Sequence, residues 1–173
     1  MLHSIIWSKH LLWMLERKWL SRTAADTPRF LHQVAENALR NRPPLGVVRD
    51  FVVDKENTLD LKLNGITPFV DAARIFSLAA GVAHTNTIQR LRVSAPKLNI
   101  QAAEVEAWID ALLFIQVLRL RHHYEEGEYE SCTDTLDNLI DPKKMSELDR
   151  HILKEAFRQA RKLQARLAME YRL

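Results

Sequence analysis

The stretch "TLDLKLNGITPFVDAARIFSLAAG", residues 58–81, is the part of the sequence that decides the fold. It opens with a short extended piece, reaches a glycine, and continues as a helix that carries Asp71 and Arg74 among apolar residues. A plain helical bundle needs neither the extended piece nor the charged pair. The stretch therefore predicts a place where a ligand is held or where another domain docks.

The residues just before and inside this stretch predict a small sheet. In "FVVDKENTLDLK", residues 51–62, β-branched residues lie on both sides of the polar turn Lys55-Glu56-Asn57. This pattern is typical of two strands joined by a short connection. We therefore expect a small two-stranded β-hairpin near residues 51–62.

Helical patterns account for most of the remaining chain. Helix starts are indicated by Thr27-Pro28, by Thr67-Pro68, by Thr85 or Asn86, and by Ser146 with Asp149. Helices are expected near residues 2–22, 27–42, 67–81, 85–95, 100–126 and 146–171, with an acidic loop at 127–145. The predicted fold is all-α, a helical bundle of five to six helices with the small hairpin embedded in it. We expect one domain, 1–173, made of a Trp-rich N-terminal helix at 1–25 and a core at 26–173.

Composition excludes several classes of function. The 173 residues are 47% apolar and 27% charged, ordinary values for a globular domain with a real core. The formal net charge of +3 is too small to indicate a nucleic-acid partner. The histidines and the single cysteine show no metal-ligand spacing, so no metal site is expected.

The N-terminus and the cysteine content indicate the compartment. Cys132 is the only cysteine, so no intrachain disulfide is possible and a reducing compartment fits. The apolar run at the N-terminus is interrupted by Lys9, Glu16 and Arg17 and is too short to span a bilayer. It also lacks the cleavage site of a signal peptide. We therefore expect a cytoplasmic protein without a membrane partner.

Motifs of known catalytic sites are missing from the sequence. There is no GxSxG elbow, no GxxxxGK[ST] loop and no GxGxxG loop. The two carboxylates of Asp54-Lys55-Glu56 have the spacing of a metal site, but they fall in a predicted turn that is better explained as solvated. No residue is therefore assigned a catalytic role.

Charged residues on apolar helix faces are the remaining candidates for a site. Arg119 and His122 share one face of a helix with Trp108, Leu112 and Ile115, because these five residues follow one another at spacings of three or four. A buried guanidinium needs a carboxylate or an anionic ligand. One interpretation is a buried Asp71–Arg119 salt bridge, with Arg90 and Arg92 at the surface.

The other interpretation is a cleft that grips a phosphate-bearing or acidic ligand. Its cationic side chains would be those of Lys62, Arg74, Arg90, Arg119 and His122. The helix that starts after Thr85-Asn86 adds free backbone N–H groups, which suit an anion. The residues alone leave both interpretations open.

Five segments occur in an order that resembles one protein family. They are "RPPLG" (42–46), "TLDLKLNGITPFVDAARI" (58–75), "TNTIQRLR" (85–92), "LRLRHH" (118–123) and "LDRHILKEAF" (148–157). From about Pro28 to its end, the chain resembles the nucleotidyltransferase substrate-binding domain. In bacterial signal-transduction proteins this module follows a nucleotidyltransferase domain, with CBS or cyclic-nucleotide-binding modules further upstream. The scheme is similar to that of the uridylyl- and adenylyltransferases that modify glutamine synthetase and its regulator.

The resemblance implies a role without catalysis. In such proteins the catalytic domain carries a Gly-Ser motif and paired aspartates for Mg²⁺ and nucleotide, and this chain has no Gly-Ser dipeptide. Mg²⁺ and a nucleoside triphosphate are therefore expected only with a partner catalytic domain, supplied in cis or in trans. Residues in the matched segments that the resemblance makes candidates for substrate binding are Lys62, Asp71, Arg74, Thr85, Asn86, Arg90, Arg119 and His122.

The sequence is therefore consistent with two functions. The first is a helical module that binds or positions a nucleotide or an acidic protein acceptor for a nucleotidyltransferase domain. The alternative is a regulatory interaction or dimerisation domain without a small-molecule site. The N-terminal helix supports the alternative, since Trp7, Trp13 and Trp19 can anchor a homodimer interface.

Overall fold

A computed structural model of the chain describes residues 16, 18–46, 51–125 and 138–173. Within these ranges the helices are α1 (18–25), α2 (Pro28–Ala38), α3 (Thr67–Ala79), α4 (Thr87–Ser94), α5 (Ala102–Glu125) and α6 (Glu147–Tyr171). A π-helical turn, Leu61–Ile66, precedes α3, and a 3₁₀ helix, Ala95–Leu98, follows α4. Strands β1 (Leu59–Asp60) and β2 (Leu139–Ile140) form a two-stranded antiparallel sheet. The predicted all-α fold with a small two-stranded sheet is confirmed.

The partner of β1 differs from the one that the sequence predicted. Leu59 lies opposite Ile140 and Asp60 opposite Leu139, so β1 pairs with a strand about 80 residues away instead of with residues 51–53. Both Leu59 and Ile140 belong to the hydrophobic core. Burying these two side chains together favours the long-range pairing over a local hairpin.

The polar turn of the predicted hairpin is nevertheless present. The carboxylate of Asp54 accepts hydrogen bonds from the backbone N–H of Glu56 and of Thr58, at 2.9 and 2.8 Å. It also accepts one from the Thr58 hydroxyl at 2.6 Å. The Thr58 bonds lower the pKa of Asp54. This is an Asx-type turn, in which a side chain supplies the bonds that a strand partner would have made.

All four helices begin where the sequence signals predicted, but only two of them have the predicted side-chain cap. The side chain of Asn86 accepts a hydrogen bond from the N–H of Gln89 at 3.1 Å, and Ser146 accepts one from Asp149 at 3.0 Å. Thr27 precedes Pro28 as predicted, but its hydroxyl donates to the carbonyl of residue 23 in α1. It therefore ties two helices together and does not cap α2.

The start of α3 explains why the chain needs a glycine there. The hydroxyl of Thr67 donates to the carbonyl of Lys62 at 2.9 Å, so it closes the π-helical turn instead of capping α3. A Cβ on Gly65 would lie 3.0 Å from a methyl carbon of Ile115 in α5 and 3.5 Å from the ring of Phe157 in α6. Glycine thus allows the turn to pack directly on both long helices.

The core lies between α3, α5 and α6. Trp108 and Phe76 stack with their ring centroids 6.4 Å apart, and both are almost fully buried. Arg121 near the end of α5 contacts Asp149 near the start of α6, at 3.1 Å. The two long helices are therefore paired over this junction, and both contact the π-helical turn.

The N-terminal helix can be compared with its prediction only in part. Trp7 and Trp13 lie outside the described residues. Residues 18–25 are helical as expected, and Trp19 is 68% exposed. Ser21 and Ala24 are the buried residues of α1. Among the described helices, none is long and apolar enough to cross a membrane.

Candidate functional site

A cleft of about 590 Å³ lies where the sheet meets the end of α5 and the start of α6. It is lined by residues from the Asp54 turn, α5, β2 and the connection from β2 to α6. Its charged and titratable lining consists of Glu56, Glu125, Asp141, Asp149, Arg121, Lys144 and His122. Carboxylates therefore outnumber the permanent cations, and the cleft is acidic.

The sheet side of the cleft is held by Asn138. The N–H of Leu61 donates to the carbonyl of Asn138 at 2.9 Å, which continues the sheet by one bond. Nε of Arg119 donates to Oδ1 of the same residue. Arg119 therefore reaches from α5 to the residue before β2 and fixes that strand. This use of the guanidinium is structural.

The predicted Asp71–Arg119 salt bridge is wrong. Asp71 pairs instead with Arg74, one turn further along α3, at 3.2 Å. Burial raises the pKa of Asp71, and the charge of Arg74 opposes that rise. The partner of Arg119 is Asn138, the residue directly before β2. The sequence did not predict β2, so it did not indicate this partner.

The α6 side of the cleft is a rigid polar network. Asp149 accepts hydrogen bonds from Arg121 at 3.1 Å and from the Ser146 hydroxyl at 2.9 Å. Ser146 in turn caps α6 by accepting the N–H of Asp149. Because these charges satisfy one another, they shape the cleft more than they attract a ligand.

Other charges of the cleft remain open to a ligand. Within the part of the chain that the structure describes, the side chains of Glu56, Glu125 and Lys144 form no ion pair or hydrogen bond. Asp141 accepts the backbone N–H of the residue two positions later at 2.9 Å and keeps its second oxygen for other donors. His122 is half-buried, with its ring centroid 6.2 Å from that of His123.

The structure distributes the predicted site residues over separate places. His122 lines the cleft, and Arg119 is bonded to Asn138 beside it. Lys62 is exposed on the π-helical turn, and Arg74 is exposed on α3. None of the predicted cations except His122 is among the described residues that line the cleft. The five-residue cationic cleft is therefore not formed at this position, and a role of these residues in binding stays a prediction.

The residues predicted at the start of α4 stabilise its loop. Thr85 is exposed, and Asn86 uses its side chain to cap the helix. Nε of Arg90 donates to the carbonyl of His84 at 2.7 Å. These bonds hold the connection from α3 to α4 in place.

One charged pair was missed by the sequence analysis. Arg92 of α4 and Glu106 of α5 form two parallel hydrogen bonds of 2.8 Å each. The pairing raises the pKa of Arg92 and lowers that of Glu106. Arg92 is at the surface as predicted, but no local sequence signal links it to a carboxylate in another helix.

A second cavity of about 390 Å³ lies at the other end of α6. It is bounded by the end of α2 and the "RPPLG" loop. Nε2 of Gln164 donates to the carbonyls of Ala38 and Asn41, at 3.3 and 2.7 Å. Nη2 of Arg161 donates to the carbonyls of Pro43 and Leu45. Side chains of α6 thus hold the loop by its backbone.

Neither cavity contains the donor set of a metal centre. In residues 16, 18–46, 51–125 and 138–173, no group of three or more His, Cys, Asp or Glu side chains could hold a metal ion.

Comparison with known proteins finds the family that the five sequence segments resemble. The family described as "Putative nucleotidyltransferase substrate binding domain" matches residues 28–171. No curated protein and no solved structure matches the chain. The family match begins at the first residue of α2 and ends at the last residue of α6. The chain therefore belongs to the nucleotidyltransferase substrate-binding domain family.

Proposed function

We propose that this chain is a non-catalytic module that binds the acceptor substrate of a nucleotidyltransferase domain and positions it for transfer. The catalytic domain would be supplied in cis or in trans and would bring its own Mg²⁺ and nucleotide. Membership of the family supports this role. A cytoplasmic signal-transduction protein of bacteria is the context that we propose for it.

The single observation that carries the proposal is that three of the family-like segments meet at one cleft. Thr58 belongs to segment 58–75, Arg121 and His122 belong to segment 118–123, and Asp149 belongs to segment 148–157. All four line the 590 Å³ cleft, although the segments are far apart in the chain. Cavities of this volume are typical of sites for small ligands or for one side chain of a larger one.

Positioning is the chemistry that such a cleft can supply. Holding an acceptor in one orientation turns an encounter between two molecules into a reaction within one complex, and this lowers the barrier without any catalytic group. The network of Arg121, Asp149 and Ser146 provides a fixed wall. Lys144 can then orient the acceptor with its N–H groups.

The charge of the cleft indicates the kind of acceptor. Four carboxylates face two permanent cations, so a triphosphate or an acidic acceptor would be repelled. We therefore favour a neutral or basic acceptor, such as a segment that carries a hydroxyl or amine group. This differs from the acidic acceptor that the sequence suggested.

The first experiment measures binding of two peptides by isothermal titration calorimetry. One is the tetrapeptide Lys-Ser-Lys-Ser and the other is its counterpart Glu-Ser-Glu-Ser. We expect the basic peptide to bind more tightly. The double variant Glu56→Gln/Glu125→Gln should weaken that binding about tenfold, equivalent to ~1.4 kcal/mol. The matched control is Glu36→Gln, an exposed glutamate on α2 outside the cleft.

Two results would contradict the proposal. One is equal affinity of the wild type and the double variant for the basic peptide. The other is transfer of a labelled nucleotide by this chain alone, measured with ATP, UTP, CTP or GTP and Mg²⁺, because the module would then be an enzyme.

A second candidate function, the interaction or dimerisation domain, is favoured by an apolar face of α5. Leu113, Val117, Leu120 and Tyr124 are 41 to 73% exposed, and their spacing places them on one side of the helix. Sedimentation of Val117→Glu/Leu120→Glu beside the wild type tests it. A dimer that becomes a folded monomer supports this function, and a wild-type monomer excludes self-association.

A further inference from the structure

The two ends of α6 carry opposite charge. From residue 158 to residue 173 the sequence has five cations, Arg158, Arg161, Lys162, Arg166 and Arg172, against the single acid Glu170. Residues 40 and 42 add two more arginines to the same end, because the loop after α2 is bonded to α6 there. The 390 Å³ pocket therefore opens in a basic part of the surface.

The pocket contains a fixed hydrogen-bond acceptor. Gln164 is only 7% exposed and lines the pocket. Its Nε2 donates hydrogen bonds to the carbonyls of Ala38 and Asn41, and these bonds orient the amide. Its Oε1 accepts no hydrogen bond from any residue that the structure describes. An acceptor that lines a cavity and has no protein donor can accept a hydrogen bond from an N–H group of a ligand.

The mouth of the pocket contains cationic donors. Arg42 is exposed and has no hydrogen-bond or ion-pair partner among the described residues. Arg161 binds loop carbonyls through Nη2 and keeps Nε and Nη1 for other acceptors. Guanidinium groups bind phosphate through paired N–H donors. The remaining walls are apolar and come from Leu39, Pro43, Ala165, Ala168 and Leu173.

We propose that this pocket binds a nucleoside phosphate. The base lies between the apolar walls and donates an N–H to Oε1 of Gln164, and the phosphates lie on Arg42 and Arg161. The volume of about 390 Å³ falls within the range typical of small-ligand sites. An amphiphilic anion of this kind satisfies the acceptor, the walls and the cations together.

A nucleotide at this position lies away from the acidic cleft. Gln164 lies about 15 residues after Asp149 on one helix, so the pocket and the acidic cleft are roughly 22 Å apart. A nucleotide bound there cannot react with an acceptor in the cleft. This last step rests on the proposed function, but the binding itself does not.

The test is a calorimetric titration of the full chain with ATP, adenosine and inorganic tripolyphosphate, each with and without Mg²⁺. We expect ATP to bind more tightly than either fragment. Arg42→Ala should weaken ATP binding at least tenfold. Ala165→Leu, which fills the pocket from an exposed position, should do the same. Arg40→Ala, which removes an exposed arginine outside the pocket, should leave the affinity unchanged.

Several results would overturn the proposal. They are no ATP binding, an equal loss in Arg40→Ala, or tripolyphosphate that binds as tightly as ATP. Tighter binding of an apolar acidic peptide than of ATP would also overturn it. The cleft variant Glu56→Gln/Glu125→Gln should bind ATP normally. The failure of the acceptor cleft and the failure of the nucleotide pocket can thus be distinguished.

Discussion

The two ends of α6 form their cavities in different ways. At the start of the helix, Arg121, Asp149 and Ser146 bond to one another, and the cleft is completed by strands from distant parts of the chain. At its end, Gln164 and Arg161 bond to backbone carbonyls of a single loop. Both ends therefore join distant parts of the chain, but by different means: a strand pair completes the first cavity, whereas two side chains of α6 hold carbonyls 116 to 126 residues earlier at the second.

The two cavities at the ends of α6 also differ in charge. The first cavity is acidic and the second is basic, although one helix borders both. A ligand is therefore selected at each end by its charge before any detailed contact forms. The following substitutions test the difference between the two ends of α6.

The largest effect is expected from Gly65→Val. The new side chain would meet Ile115, so the π-helical turn could no longer pack against α5. Overpacking of this kind costs about 1–3 kcal/mol in the free energy of unfolding. Urea denaturation measures it, with Lys62→Val as the control because Lys62 is an exposed residue of the same turn. Equal stability of the two variants would show that close packing does not hold the acidic end.

An effect of similar size is expected from Gln164→Leu at the basic end. The carbonyls of Ala38 and Asn41 lose their donor, and an unsatisfied buried group costs roughly 1–3 kcal/mol. The control is Gln159→Leu, which removes only a bond to Glu155 at the surface and should change stability by less than about 0.5 kcal/mol. If both variants unfold at the same urea concentration, the loop is held by other contacts.

The smallest effect concerns pH. Burial, with Glu170 nearby, raises the pKa of Tyr171 to about 12, above its ordinary value of 10.0. The unfolded chain therefore releases this proton first as the pH rises. The stabilisation is complete below pH 10 and is lost as the pH approaches 12. Tyr171→Phe should remove this part of the alkaline loss of stability, measured as the melting temperature between pH 9 and pH 11. An unchanged alkaline slope would contradict it.

Much of the helical structure could be predicted because its signals are local. Pro28 starts α2, Asn86 and Ser146 cap their helices, and Gly81 with a φ of 63° follows α3. Each signal acts within one turn of backbone, so the sequence alone reveals it. The family match covers residues 28–171, the range that contains all five segments of the resemblance.

The candidate site could be predicted only in part. His122 was named and lines the cleft, but Lys144, Glu56 and Glu125 were not. Their sequence surroundings are those of ordinary solvated residues. Only the folded chain brings them to the same cavity, since they come from a turn, a helix end and a connection.

The sequence by itself determined the helices, their caps and the family, because these follow from backbone preferences and from residues close together in the chain. The tertiary structure decided the pairing of β1 with β2, the partner of Arg119 and the opposite charges of the two cavities. These depend on burying Leu59 with Ile140 and on bringing together segments about 80 residues apart. Hydrophobic burial has no direction along the chain, so its partners can be identified only after folding.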